Sequence, residues 1–190
     1  MNTPTKKGLG RFRLFEHPDL LSTAANFSAL YERTHLTIFR YLYGLTGGPQ
    51  EDVEDLTAET YERAWKSRRT FQGDESAASG WLMKIARHLV IDGYRRRKAR
   101  PITAGEIPDQ LPQAGLQPEE VTLSAEEQRT LWMVMAALPA EGREILTLRY
   151  VLGWRVNEVA AYLQIPENTV SVVIRRALER LRREWPEEEK

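Results

Sequence analysis

Cations gather in one short stretch of the chain: Lys84, Arg87 and His88, then Arg95, Arg96, Arg97, Lys98 and Arg100. Guanidinium and ammonium groups at this density suit phosphate, and contacts of that kind are blind to sequence and sensitive to salt. A helix dipole also favours a basic C-terminus, so a core helix with a solvated end explains the same residues. Ahead of them, Asp52, Asp55 and Glu59 recur at three- and four-residue steps and so share one face of a helix. Acid in the first turns of a helix is likewise favoured by the dipole. Near the other end, residues 155–183 alternate apolar and polar types as helix, tight turn, helix. Val159, Ala160 and Leu163 lie in the first helix, Ile165 and Pro166 in the turn, and Val170, Ile174, Ala177, Leu178 and Leu181 in the second. In a helix-turn-helix the second helix enters the major groove with its N-terminal residues facing the bases. That geometry turns Glu167, Asn168, Ser171, Val172 and Arg175 outward and leaves Arg176 and Arg180 for phosphates.

Other chemistries find little support. The chain has no cysteine, which excludes disulfides and thiolate-bound metals. Glu51, Asp55, Glu59 and Glu62 could line a helix as metal ligands, but His17, His35 and His88 are scattered and no second carboxylate helix answers them. There is no phosphate-cradling glycine loop and no nucleophile–base pair. No catalytic residue, metal ligand or cofactor is expected. Lys+Arg and Asp+Glu both total 27, so only the segregation of charge is informative, and it suggests binding surfaces of different sign. No apolar run approaches the roughly 18–20 residues that span a bilayer, so no membrane insertion and a cytoplasmic location are expected.

Elements able to hold these groups follow from the apolar period. Phe27, Leu30, Tyr31, Ile38, Phe39, Tyr41, Leu42 and Leu45 predict a helix over 26–45, stopped by Gly47, Gly48 and Pro49. Val53, Leu56, Tyr61, Ala64 and Trp65 predict a second over 51–68. After a loop over 70–79, Trp81, Leu82, Ile85, Ala86, Leu89 and Tyr94 predict a third over 80–100. Four prolines between Pro101 and Pro118 mark a linker. Ser124 and Glu127 form a capping box before a helix carrying Leu131, Trp132, Met135 and Leu138. A helix over 141–151 then leads into the helix-turn-helix. The expected fold is all-α: an N-terminal helical bundle and a C-terminal four-helix domain with the helix-turn-helix, joined by a flexible linker. The divisions are a basic arm over 1–22, the first domain over 23–100, the linker over 101–122 and the second domain over 123–190.

Four segments in this order resemble the sigma-70 family of bacterial RNA polymerase sigma factors, in its small extracytoplasmic-function form. They are DVEDLTAETYERAW from Asp52; GWLMKIAR from Gly80 with Ile91, Asp92 and Arg95–Arg97; Leu138 and Pro139 with LTLRY from Leu146; and Ile165 and Pro166 with Thr169, Val170, Arg176 and Ala177. The resemblance implies a factor that binds core RNA polymerase, recognises −35 and −10 promoter elements, promotes melting and starts transcription of a gene subset. It implies polymerase binding by Asp52, Asp55, Leu56 and Glu59 on the β′ coiled coil, and contact with the β flap. It implies −10 contacts by Phe71, Gly73, Asp74, Ser76, Trp81, Lys84, Arg87, His88, Arg95, Arg96 and Arg97, with a flipped non-template base held by the loop from Phe71 and by His88. It implies −35 contacts by Glu167, Asn168, Thr169, Ser171, Val172, Arg175, Arg176 and Arg180, and an anti-sigma factor as a candidate partner. Ala58 stands where the family usually has glutamine, and His88 where asparagine is common. A helix-turn-helix regulator that never touches polymerase is the rival reading; it uses residues 155–183 and leaves the acidic strip idle.

Overall fold

The computed structural model describes residues 21, 23–98 and 125–185, and every regular element among them is helical. Helix α1 spans Ala24–Thr46. The Thr23 hydroxyl accepts from the Asn26 amide at 3.2 Å, and Gly47, at φ 57°, closes the other end by donating to the Tyr43 carbonyl at 2.8 Å. Helix α2, Gln50–Ser67, follows Pro49 directly and buries Val53, Thr57, Thr60, Tyr61 and Ala64. Helix α3 spans Glu75–Lys98 and buries Leu82, Met83, Ala86, Leu89 and Val90. Each of these three helices packs on the other two.

Helix α3 begins five residues before the expected start at Gly80. The Asp74 carboxylate accepts from the Ala77 amide at 2.9 Å, a side-chain cap that starts the helix ahead of its apolar stripe. Ser76 is therefore a helix residue and not a loop residue. Tyr94, expected in the buried stripe, is 42% exposed, and its hydroxyl accepts from Arg143 at 3.3 Å.

The second domain holds α4 (Ala125–Ala137), α5 (Ala140–Leu146), α6 (Val156–Leu163) and α7 (Glu167–Glu184). Ser124 of the expected capping box lies outside the described residues. The single helix expected over 141–151 is α5 followed by a π-helical turn, Thr147–Val151, after which Gly153 turns the chain at φ 72°. Gln164 joins α6 to α7 in the left-handed region at φ 58°, and the Ile165 amide reaches back to the Ala160 carbonyl at 3.1 Å. Val159, Val170 and Ala177 are buried. Leu178, expected inside, is 41% exposed.

The two domains share a core. The cluster that contains Leu30, Val53 and Leu82 continues through Tyr41 and Leu42 to Ile145, Leu148, Val159 and Val170. The cause is the C-terminal half of α1, where Tyr41, Leu42, Tyr43, Gly44 and Leu45 are all buried. A helix apolar all round must be covered on every side; here α2 and α3 cover one side, and α5 with the π turn cover the other. Gly44 permits the approach, since a β-carbon there would lie 2.4 Å from the Thr147 methyl. Tyr43 meets the Trp132 ring edge-on with centroids 4.5 Å apart, and Arg143 donates to the Leu45 carbonyl at 3.0 Å. An apolar groove of about 300 Å³ follows the same seam, with Phe39 and Tyr43 on one wall and Trp132, Met135 and Leu178 on the other.

Candidate functional site

Three surfaces carry the charged residues singled out by the sequence. On α2, Asp52 and Asp55 are exposed and Glu59 is half-buried. Glu59 accepts from the Arg63 guanidinium one turn on, at 2.6 and 3.1 Å. Leu56 lies between the acids and packs partly onto the core, anchored from beneath by fully buried Val53. Ala58 is exposed.

The second surface is the corner between α2 and α3. Phe71 leans on Trp81 with ring centroids 5.0 Å apart. Gly73 is required by close approach, because a β-carbon there would sit 2.9 Å from that of Ala77 and 3.1 Å from the Phe71 ring. With Asp74 capping α3, these residues build the corner itself. Beyond it Lys84, His88 and Arg95 are exposed, and their spacing aligns them along a single line of α3. Arg87 lies about 80° away from that line and turns elsewhere. The side chains of Ser76, Arg96, Arg97 and Lys98 lie outside the described residues, as does Arg100.

The third surface is the start of α7. Glu167, Asn168, Thr169, Ser171, Arg175 and Arg176 are exposed, and Val172 is half-buried rather than fully outward. The Ser171 hydroxyl donates to the Glu167 carbonyl at 3.1 Å. Arg180 is engaged one turn on, its Nε donating to Glu184 at 2.7 Å. Buried Val170 and Ala177 fix which side of α7 faces in, so the group from Glu167 to Arg175 faces out as one patch.

A further cluster escaped the sequence reading. Glu144 is 6% exposed. It accepts from Arg87 Nε at 2.8 and 3.0 Å, one bond to each carboxylate oxygen, and from the Tyr41 hydroxyl at 2.7 Å. The Tyr162 hydroxyl lies 3.4 Å from that of Tyr41. The hydrogen bond to Glu144 raises the Arg87 pKa and holds its charge. Burial pushes the Tyr162 phenol up to about 12 and that of Tyr41 higher still, with Tyr162 and Glu144 adding to the Tyr41 shift. One signal was available: Glu144 sits four residues before fully buried Leu148, an acid on an apolar face.

Comparison with known proteins agrees with this layout. Residues 30–100 match the family model for sigma-70 region 2, and residues 128–181 match that for sigma-70 region 4. The chain is 30% identical over 159 residues to the ECF RNA polymerase sigma factor SigL of Mycobacterium tuberculosis, covering 84% of this chain and 88% of that protein. It is 31% identical over 163 residues to the ECF sigma factor BldN of Streptomyces coelicolor, covering 85% of this chain but only 61% of BldN. Among solved structures, the sigma factor RpoE of Bartonella quintana, crystallised with the anti-sigma factor NepR, superposes with a TM-score of 0.66 at 18% identity. That match covers 86% of this chain and 99% of RpoE and speaks for the fold alone. With region 2 on α1–α3, region 4 on α4–α7, and SigL matched along nearly its whole length, the chain belongs to the extracytoplasmic-function RNA polymerase sigma factors.

Proposed function

We propose that this chain is a dissociable initiation subunit that brings core RNA polymerase to a subset of promoters. Residues 23–100 and 123–190 act as its two working domains, and 101–122 connect them. The acidic strip of Asp52, Asp55 and Glu59, with Leu56 beside it, docks α2 on a basic partner surface of the polymerase. The corner from Phe71 to Ser76, with Trp81, Lys84, Arg87 and His88, receives the opened −10 strand, and Arg95, Arg96 and Arg97 hold its backbone. The outward patch of α7 reads the −35 element: Glu167, Asn168, Thr169, Ser171 and Arg175 at base edges, Val172 against a thymine methyl, Arg176 and Arg180 at phosphates. The factor performs no catalysis of its own and works in the cytoplasm; among the described residues no helix is long and apolar enough to cross a membrane. RpoE was solved with an anti-sigma factor, and a partner of that kind is proposed for this chain too.

One observation carries the reading: two outward patches suited to DNA, on α3 and α7, stand in one chain with an acidic face on α2 that DNA would repel. The test is co-elution with core polymerase and promoter-specific initiation in vitro, with start sites mapped over a genomic library. Asp55→Lys with Glu59→Lys should abolish co-elution. A protein that binds DNA but neither co-elutes nor initiates is a helix-turn-helix regulator instead.

A further inference from the structure

The apolar groove of about 300 Å³ beside α1 has walls but no cover among the described residues. Tyr150, Val151 and Leu178 on its rim are all exposed. Leu36 is exposed too, and it lies three and four residues before Phe39 and Arg40. That spacing carries the apolar stripe of the groove up α1 toward the start of the helix. A continuous apolar surface of this kind is ordinarily a contact site. On the α1 wall, moreover, the Arg40 Nε is buried with no hydrogen-bond partner among the described residues. Buried donors are normally satisfied, so whatever covers the groove should bring an acceptor as well as apolar surface.

We propose that the cover is the chain's own N-terminal arm, with Phe12 and Phe15 seated in the groove. Residues 1–20 lie outside the described residues, and the arm joins the rest at Leu21. Leu21 is 4% exposed and belongs to the shared core, so the arm is anchored at the head of α1. Phe12 stands nine residues before Leu21, a reach of up to about 30 Å. Phe39 stands 16 residues after the Thr23 cap, a rise of about 24 Å along the helix. An arm laid back along α1 therefore brings Phe12 to the groove.

The arm's sequence suits that path. Leu9, Phe12, Phe15, Pro18 and Leu21 recur at every third residue, which places them on one side of a polyproline II chain. Leu21 shows that this side faces the protein where the two meet. Arg11 and Arg13 fall off the stripe and stay in water. A polyproline II chain makes no internal hydrogen bonds, so its carbonyls are free to accept from Arg40. Tyr43 and Trp132 in the walls offer rings for phenylalanine to meet edge-on. Residues 99–124, the other stretch outside the described residues near the groove, contain no aromatic side chain. The consequence is competition: any apolar partner that docks on Trp132, Met135 or Leu178 has to displace the arm. The proposed initiation role assigns nothing to this segment or this face, and the inference does not depend on it.

The full chain can be tested directly. It has no cysteine, so Arg13→Cys gives a single site for a nitroxide on the arm. Methyl-labelled methionine supplies the reporters: Met135 lines the groove, and Met83 is fully buried in the first domain. The nitroxide should remove most of the Met135 methyl signal and affect Met83 less. Adding Phe12→Ser and Phe15→Ser should restore the Met135 signal, and these substitutions touch no residue of the described fold. An undiminished Met135 signal, or a loss that survives both serines, would overturn the proposal. So would a loss of Met135 signal when nitroxide-bearing chains without methyl label are mixed with methyl-labelled chains without nitroxide, because the groove would then be filled by the arm of a second copy.

Discussion

Two buried phenols show how differently the chain builds its interior and its seam. Tyr61, inside the first domain, is hydrogen-bonded to the Thr34 hydroxyl at 2.7 Å. Thr34 spends its own proton on the Leu30 carbonyl at 2.6 Å, so Tyr61 is the donor. Phe27 and Tyr31 meet its ring edge-on at 6.3 and 4.7 Å. Tyr41, at the seam, donates over the same 2.7 Å, but to a carboxylate that also holds a guanidinium from the other domain. The first network is neutral and closed within one domain. The second is ionic and joins the two domains. Burial alone therefore does not say whether a contact is permanent; the chemistry of the acceptor does.

The interior should break hardest. Leu82 of α3 is fully buried in the core, and Leu82→Ala should cost about 2–5 kcal/mol in urea denaturation. If the seam is separable, Gly44→Ala should leave that unfolding midpoint nearly in place while changing domain separation. Equal losses from both would erase the distinction between interior and seam.

Alkaline pH sharpens the contrast next. Burial pushes the Tyr61 phenol from 10.0 up to about 12; Tyr162 at the seam is likewise pushed to about 12 by burial. A raised folded-state value means the folded chain holds the proton more tightly. The stability is thus complete below about pH 10 and is lost as pH climbs through about 12. For Tyr61 the amount is on the order of 2 kcal/mol. Melting temperature measured from pH 9 to 12 should fall less steeply in Tyr61→Phe than in the parent, and Tyr162→Phe should flatten the loss of energy transfer between dyes on the two domains instead. Parallel curves for all three proteins would show that neither phenol governs the transition.

The interior was largely legible in sequence and the seam was not, for a physical reason. Leu82, Ala86 and Leu89 announce a buried face by their period, and one face is all a three-helix bundle asks of each helix. Helix starts depend on single side chains, and Asp74 moved that of α3 by a cap that periodicity does not register. The seam had a visible sign in the unbroken apolar run from Tyr41 to Leu45, which is too wide for one face. What it lacked was a way to pair Glu144 with Arg87, 57 residues apart, because a lone acid on an apolar face names no partner. For the candidate surfaces, spacing alone placed Lys84 with His88 and Glu167 with Ser171 correctly. It could not show that Arg87 turns aside or that Val172 is half-covered.

Removing one hydroxyl from each network is a gentler probe. Tyr61→Phe should cost about 1 kcal/mol of global stability, the usual net worth of a hydrogen bond. Tyr41→Phe should show little in urea and appear instead as a shift toward separated domains, since Glu144 keeps Arg87 and gains water on opening. Double-mutant combination with Glu144→Ala should be strongly non-additive for Tyr41→Phe and additive for Tyr61→Phe.

The smallest effect on stability belongs to an ion pair as short as that of Glu144 with Arg87 but on the open face of α2. Glu59 and Arg63 meet at 2.6 Å, each with 41% of its side chain exposed. An exposed pair one helical turn apart contributes only about 0.3–0.5 kcal/mol, because water and salt screen it and holding both side chains costs entropy. Glu59→Gln should therefore leave the urea midpoint almost unmoved, whereas its effect on co-elution with core polymerase should be plain, the more so at low salt. A stability loss of about 1 kcal/mol or more would make the pair a brace for α2 rather than a docking charge. Undiminished co-elution would remove Glu59 from the polymerase surface. Two glutamate–arginine pairs of similar length thus separate by the surroundings of the acid: Glu144 is buried between two domains, with 8% of its side chain exposed, whereas Glu59 is open to water and to what arrives from outside.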